Sequence, residues 1–286
     1  MDKEKFEHMF AFSEKMIYDN GKPSQAREIK EREQGGVSMS EVWNMWHGCH
    51  KLSQGCRFCP VFQKDYLYGR NPSVVFKTKS FDLPVQQTRS HTYRLNPDDH
   101  LVRTCTTSDF FIEEADPWRD DAWDMIRQRP DLTFLIVTKR PERISSCLPR
   151  DFGEGWDNVA ISCSCETQYL ADRRLRYFIP LPIRHKLISV EPILGPIHLK
   201  QYFEQYPTAI EGISCGGEIG SSARICDYGW VLDLMLECTA YNIPFRFTQP
   251  GSRFRKGQKV YCIDDDRQKA LAEKSGACYR AEKICG

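Results

Sequence analysis

From residue 37 onward, short apolar runs alternate with stretches in which apolar residues recur at helical spacing. The runs predict strands at Val42–Trp46, Leu101–Thr106, Thr133–Thr138, Asn158–Ser162, Lys186–Val190, Ile210–Cys215 and Pro244–Thr248. Between them the spacing predicts helices over 60–69, 117–129, 141–148, 167–179, 197–206 and 228–241. Asp116-Pro117 supplies a start with proline at the first helical position, and Pro130-Asp131 a stop. Strands alternating with helices make βαβ units and a mostly parallel sheet. Six or seven such units with no mid-chain linker predict an α/β fold of the partial or full (β/α) TIM-like barrel type. Residues 71–100 interrupt the rhythm: Val74, Val75 and Phe76 precede a polar stretch with Pro84, predicting an inserted hairpin or lid.

The two ends read differently. Residues 3–19 place Phe6, Met9, Phe10, Phe12, Met16 and Ile17 on one helical side, and Asn20-Gly21 ends that helix. Residues 24–34 are almost all polar, so 1–36 is expected to be a helical extension. At the other end, 252–263 predicts a hairpin around Lys256-Gly257, and 265–286 a last helix and tail. The expected organisation is therefore 1–36 extension, 37–251 barrel, 252–286 hairpin and tail.

With 286 residues and a net charge of +1, the chain is long enough for one full core and has no global field favouring nucleic acid or an anionic membrane. No apolar run approaches the 18 or so residues of a membrane span, and the charged start (Asp2, Lys3, Glu4, Lys5) lacks a signal-peptide core, so a cytoplasmic protein is expected. Thirteen cysteines, an odd number, then read as thiols or metal ligands rather than disulfides.

Chemistry concentrates between Trp43 and Arg70, where Cys49, Cys56 and Cys59 are spaced C-x6-C-x2-C. Gly48 and Gly55 each precede a cysteine, which lets the backbone turn tightly. Thiolates hold [4Fe–4S] clusters, normally four of them, so three leave one iron open to another ligand. A zinc ion with three protein ligands and an open position is the rival, with His47 or His50 completing the set.

The ending Cys56-Arg57-Phe58-Cys59 resembles the C-x-aromatic-C end of the radical S-adenosylmethionine (radical SAM) cluster loop. The first spacing departs from that superfamily's usual C-x3-C. With its WN…HGC…GC..C frame, it is similar to a family of phage-related proteins that carry the same wide spacing. Thr107-Ser108-Asp109-Phe110, Thr138-Lys139-Arg140-Pro141-Glu142-Arg143, Ser189-Val190-Glu191-Pro192 and Gly216-Gly217-Glu218 look like later landmarks of that family. The resemblance covers roughly residues 40 to 255, with Pro60 standing where the family more often has Tyr. It implies a [4Fe–4S] cluster on Cys49, Cys56 and Cys59, S-adenosylmethionine on the open iron, an external electron donor, and hydrogen abstraction from a substrate, with the cofactor supplying the difficult chemistry.

In parallel barrels function collects in the loops after the strands, and the unusual polar residues fall there. The expected cofactor contacts are Ser108 and Asp109 for the amino group, Lys139 or Arg140 for the carboxylate, and Glu166 or Glu191 for the ribose. Gly216, Gly217 and Glu218 follow the sixth strand, where Gly217 lets adenine or substrate approach the backbone. Cys163 and Cys165, two apart in a strand, share a face, and Cys105 and Cys215 lie near the ends of other strands. These four are candidates for an auxiliary cluster, or one of them for a hydrogen-atom donor, although packing is the simpler role. Arg173, Arg174 and Arg176 read as a solvated helix face. Arg253, Arg255, Lys256 and Lys259 interleave with Phe254 and Tyr261 in a pattern that suits single-stranded nucleic acid but equally an ordinary charged hairpin. The phage association points to a nucleobase or nucleic acid as substrate. The alternative function is a binding protein for nucleic acid or a partner, stabilised by zinc or a passive cluster; a zinc hydrolase is a third.

Overall fold

The computed structural model describes residues 42–96 and 100–281. The helical extension expected over 1–36 lies outside the described residues. In chain order the strands are β1 (Val42–Trp43), β2 (Trp46–His47), β3 (Phe76–Lys77), β4 (Leu101–Thr104), β5 (Thr133–Thr138), β6 (Val159–Ser164), β7 (His185–Val190), β8 (Gly212–Gly216), β9 (Cys226–Asp227), β10 (Phe245–Gln249), β11 (Arg253–Lys256), β12 (Lys259–Cys262) and β13 (Cys278–Tyr279). The α-helices are α1 (Pro60–Leu67), α2 (Asp116–Arg127), α3 (Pro141–Cys147), α4 (Gln168–Phe178), α5 (Lys200–Gln205), α6 (Tyr228–Ala240) and α7 (Gln268–Ser275).

Eight strands form one sheet in the order β1-β4-β5-β6-β7-β8-β10-β13. Every pairing in it is parallel except the last, where β13 runs antiparallel to β10. Among the described residues β1 and β13 are its two edges, so the sheet is not closed there: of the expected partial or full barrel, the full one is not seen. The strand predicted over Val42–Trp46 is split: Trp46–His47 leaves the main sheet and pairs with β3 inside the 71–100 insertion. The predicted hairpin is β11 and β12, joined by β9 into a three-stranded sheet. The expected tail is stitched in, since β13 extends the main sheet and Ala272 of α7 is buried in the core.

Local chemistry accounts for the elements. β5 reads TFLIVT, all β-branched, aromatic or leucine, residue types that favour strands. The Thr167 hydroxyl accepts from Leu170 N at 3.3 Å to start α4, and the Asp227 carboxylate accepts from Gly229 N at 2.8 Å to start α6. Strand alternation then gives the sheet two unlike faces. Phe134, Ile136, Ile161, Cys163, Val190, Ile213, Cys215, Phe245 and Phe247 pack into the buried core. The residues between them are far more polar. Val137 pairs with Ser162, Ser164 with Ser189, Ser189 with Ser214, and Ser214 with Arg246. That second face carries the cavity described next. Among the described residues, no helix is long and apolar enough to cross a membrane.

Candidate functional site

A cavity of about 540 Å³ lies on the polar face of the sheet. Its floor includes Arg103, Val137, Ser162, Ser189, Ser214 and Thr248 from six strands, and the cysteine loop forms its other wall. Cys49, Cys56 and Cys59, all half-buried, line it together. The loop reaches this position by a short 3-10 turn, Gln54–Cys56, in which Cys56 N donates to Ser53 O at 2.9 Å. Cys59 caps α1, whose first residue is Pro60. Proline at this position lacks an N–H that would have had no intrahelical partner anyway, so the departure noted above is well tolerated. Gly48 has φ 93°. A Cβ there would strike the Val74 carbonyl, so both backbone angle and space require glycine.

Three polar clasps hold the loop down. The first is Glu166, which is completely buried. One of its oxygens accepts from Ser53 Oγ and lies 2.7 Å from Lys139 Nζ, while the other accepts from Arg174 at 2.5 Å. Burial alone would push this carboxyl up, but Lys139 and Arg174 outweigh it and hold the group down at about 2. Gly55 lies flat against the same carboxylate, and a Cβ there would collide with its Oε1. The second clasp is Glu218, which accepts from Arg224 at 2.9 and 2.6 Å; Arg224 in turn donates to Gln54 O at 2.9 Å and covers the Phe58 ring. The third is Ser108, whose hydroxyl donates to Gly48 O. Beneath it Asp109 accepts from Thr138 Oγ1 at 2.8 Å and Lys139 N at 3.0 Å, and it pairs with Arg140 at 3.1 Å. Arg140 Nη1 lies 3.9 Å from Cys49 Sγ. Burial raises the Cys49 thiol to about 11, with Arg140 pulling the other way.

The residues expected to contact a cofactor thus divide. Ser108, Asp109, Lys139, Arg140 and Glu191 line the cavity with the three cysteines. Glu166 and Glu218 are engaged in the clasps, and Gly216 and Gly217 pack on β10 and the turn after it; a Cβ on Gly217 would strike the Pro250 carbonyl. Cys163, Cys165 and Cys215 are wholly buried in the hydrophobic core, and none lines the cavity. Strand alternation puts Cys163, between the cavity residues Ser162 and Ser164, on the opposite face. Cys105, which sequence reasoning gave no role in the main site, does line the cavity; it is 2% exposed, and burial pushes its thiol far up. Sequence reasoning also missed Ser53 and Arg224, whose spacing carries no signal, and its solvated helix face is corrected at Arg174, which is buried and paired with Glu166. His47 is bonded to Asp65 at 2.7 Å and His50 to Glu114, and His50 alone of the two lines the cavity.

Three half-buried thiols line one wall of the cavity, and thiolates are donors to both iron–sulfur clusters and zinc. Among the described residues no group of three or more His, Cys, Asp or Glu side chains is gathered closely enough to hold one metal ion.

A family model described as "Protein of unknown function (DUF5131)" matches residues 37–280. The chain belongs to the DUF5131 family. The DUF5131 match takes in the whole main sheet, the cysteine loop, the three clasps and the C-terminal hairpin through β13. No curated protein and no solved structure matches the chain.

Proposed function

We propose that this chain is a radical SAM enzyme on a partial (β/α) barrel, with Cys49, Cys56 and Cys59 as the ligands of a [4Fe–4S] cluster. The observation that carries the reading is that all three thiols of the C-x6-C-x2-C loop line one cavity over the polar face of a mostly parallel sheet. When bound, the cluster and S-adenosylmethionine supply the electron and the sulfonium whose reductive cleavage starts radical chemistry. The chain's own residues bind and orient. Arg140 sets a guanidinium against Cys49, balancing the negative charge that ligation would place on the sulfur. Asp109 fixes Arg140. Glu191 is the cavity-lining carboxylate that takes no part in the clasps, and it is assigned to the ribose hydroxyls or the amino group. The clasps also favour this reading over the metal-stabilised binding protein. Salt bridges and hydrogen bonds already order the loop, so a bound group is not needed as its staple.

The test uses anaerobically purified, reconstituted protein. After reduction and addition of S-adenosylmethionine, the expected results are about four irons per chain, an EPR signal that shifts with the cofactor, and 5'-deoxyadenosine. A stoichiometric zinc atom with no cleavage would overturn the reading in favour of the binding protein.

A further inference from the structure

A second, smaller pocket of about 160 Å³ adjoins the cavity. Leu52 and Lys139 belong to the walls of both, so the two lie side by side at the cysteine loop. The other lining groups of the small pocket are Glu142, Leu170, Arg173, Arg174, Arg176 and Tyr177. Four cations face one carboxylate there. Lys139 and Arg174 are neutralised by Glu166, but Arg173 and Arg176 form no ion pair with any described carboxylate. Both are exposed on α4. Tyr169, Arg173, Arg176 and Tyr177 fall three or four residues apart and therefore on one stripe of that helix. The two tyrosines are 69% and 47% exposed, and the Arg176 guanidinium lies over the Tyr177 ring. The pattern continues across the loop. Lys51, Arg57, Lys64 and Arg70 are exposed and form no ion pair among the described residues. Exposed Tyr66 and Tyr68 are interleaved with them. Several uncompensated cations and open aromatic rings of this near-neutral chain thus lie on α4 and on the cysteine loop and α1, elements that wall the two pockets.

We infer that this surface binds single-stranded nucleic acid, with a backbone phosphate in the Arg173–Arg176 pocket and bases stacked on the exposed tyrosines. Spaced cations that track a phosphodiester backbone, alternating with aromatic rings that accept any base, are the pattern of single-strand recognition. A lone phosphorylated metabolite would use the pocket but not the cations beyond it. The shared wall of Leu52 and Lys139 sets a base next to the held phosphate beside the cavity. The inference rests on the proposed function only for what then happens to that base; binding stands independently of it.

The test is fluorescence anisotropy of the full-length protein with a labelled 12-nucleotide single strand of mixed sequence, followed across salt concentration. The wild type is expected to bind with a falling log–log salt dependence. Arg173→Glu/Arg176→Glu is expected to weaken binding at least about 10-fold and to flatten the salt slope by about 0.7, the share of one phosphate contact on a single strand. Tyr177→Ala, which removes no charge, is expected to weaken binding with the slope unchanged. Circular dichroism verifies that each variant is folded. Wild-type affinity in the charge-reversed variant, absence of binding, or equal affinity for a duplex of the same length would overturn the inference. Oligonucleotide binding without 5'-deoxyadenosine formation would sink the radical SAM reading and leave this one standing; the reverse result would do the opposite.

Discussion

At the scale of single residues, the most consequential side chain is not a cysteine but Glu166. It is fully buried, and two cations and a hydroxyl share its two oxygens. Glu166→Gln removes the charge and leaves Lys139 and buried Arg174 unpaired, so unfolding in urea is expected to show a loss of about 3–5 kcal/mol. The pH dependence has a definite sign. The folded carboxyl lies near 2 against an ordinary value of 4.5. A depressed carboxyl stabilises the fold fully above its unfolded value and loses that contribution as pH falls toward the folded one. Wild-type stability should therefore drop between about pH 4.5 and about pH 2, with roughly 3 kcal/mol assignable to this group, and the drop should shrink in the Gln variant. The cysteines make a second expectation. Ala at Cys49, Cys56 or Cys59 should abolish iron binding while the far-ultraviolet dichroism is kept. Cys105→Ala should retain the full iron content, because a site open to S-adenosylmethionine has only three protein ligands. Iron lost from Cys105→Ala would mean a cluster closed by four thiolates, and the open-site chemistry would fail with it.

At the scale of elements, the cysteine loop is held by shape as well as by charge. Gly55→Ala drives a methyl group into the Glu166 carboxylate, which its ion pairs keep from retreating. The expected loss is about 1–3 kcal/mol, measured by thermal unfolding, with reduced iron uptake. Gly48→Ala at positive φ should do at least as much. Elements of this kind were unevenly legible in the sequence. The strands β4, β5, β6, β7, β8 and β10 and the helices between them were legible to within a few residues, because short stretches rich in apolar residues alternate there with crossover helices of helical period. β1 was overextended, since Val42–Trp46 reads as one apolar run whereas a turn after Trp43 sends Trp46 to another sheet. β9 and β13, two residues each, leave no period to detect. The cysteines were legible because ligand spacing is local. The clasps were not, because Glu166 and Arg224 meet Ser53 and Gln54 across 113 and 170 residues, and an isolated Glu or Arg carries no mark of its distant partner. Two of the expected cofactor contacts, Glu166 and Glu218, are engaged in the clasps, which the sequence did not show for the same reason: a strand-end carboxylate looks alike in either role.

At the scale of the molecule, an open sheet has two edges to protect. β13 covers β10, and α7 packs behind it with Ala272 and Ala277 in the core. Deleting 265–286 would bare β10, whose Phe245 and Phe247 are buried, and an unprotected edge invites pairing with another chain. The truncated protein is expected to aggregate during expression, scored as the soluble fraction; soluble, monomeric truncated protein would show that the edge needs no cover. The long-range clasps have a further consequence for how the protein comes into being. The three thiols leave the ribosome early, but their fasteners at residues 166 and 224 are made more than a hundred residues later. A nascent chain arrested before residue 166 carries the three loop cysteines with neither of these long-range fasteners made. The fastening of the loop is thus ordered by topology: Ser108 comes first, then Glu166, and the clasp through Arg224 closes only when translation is nearly finished.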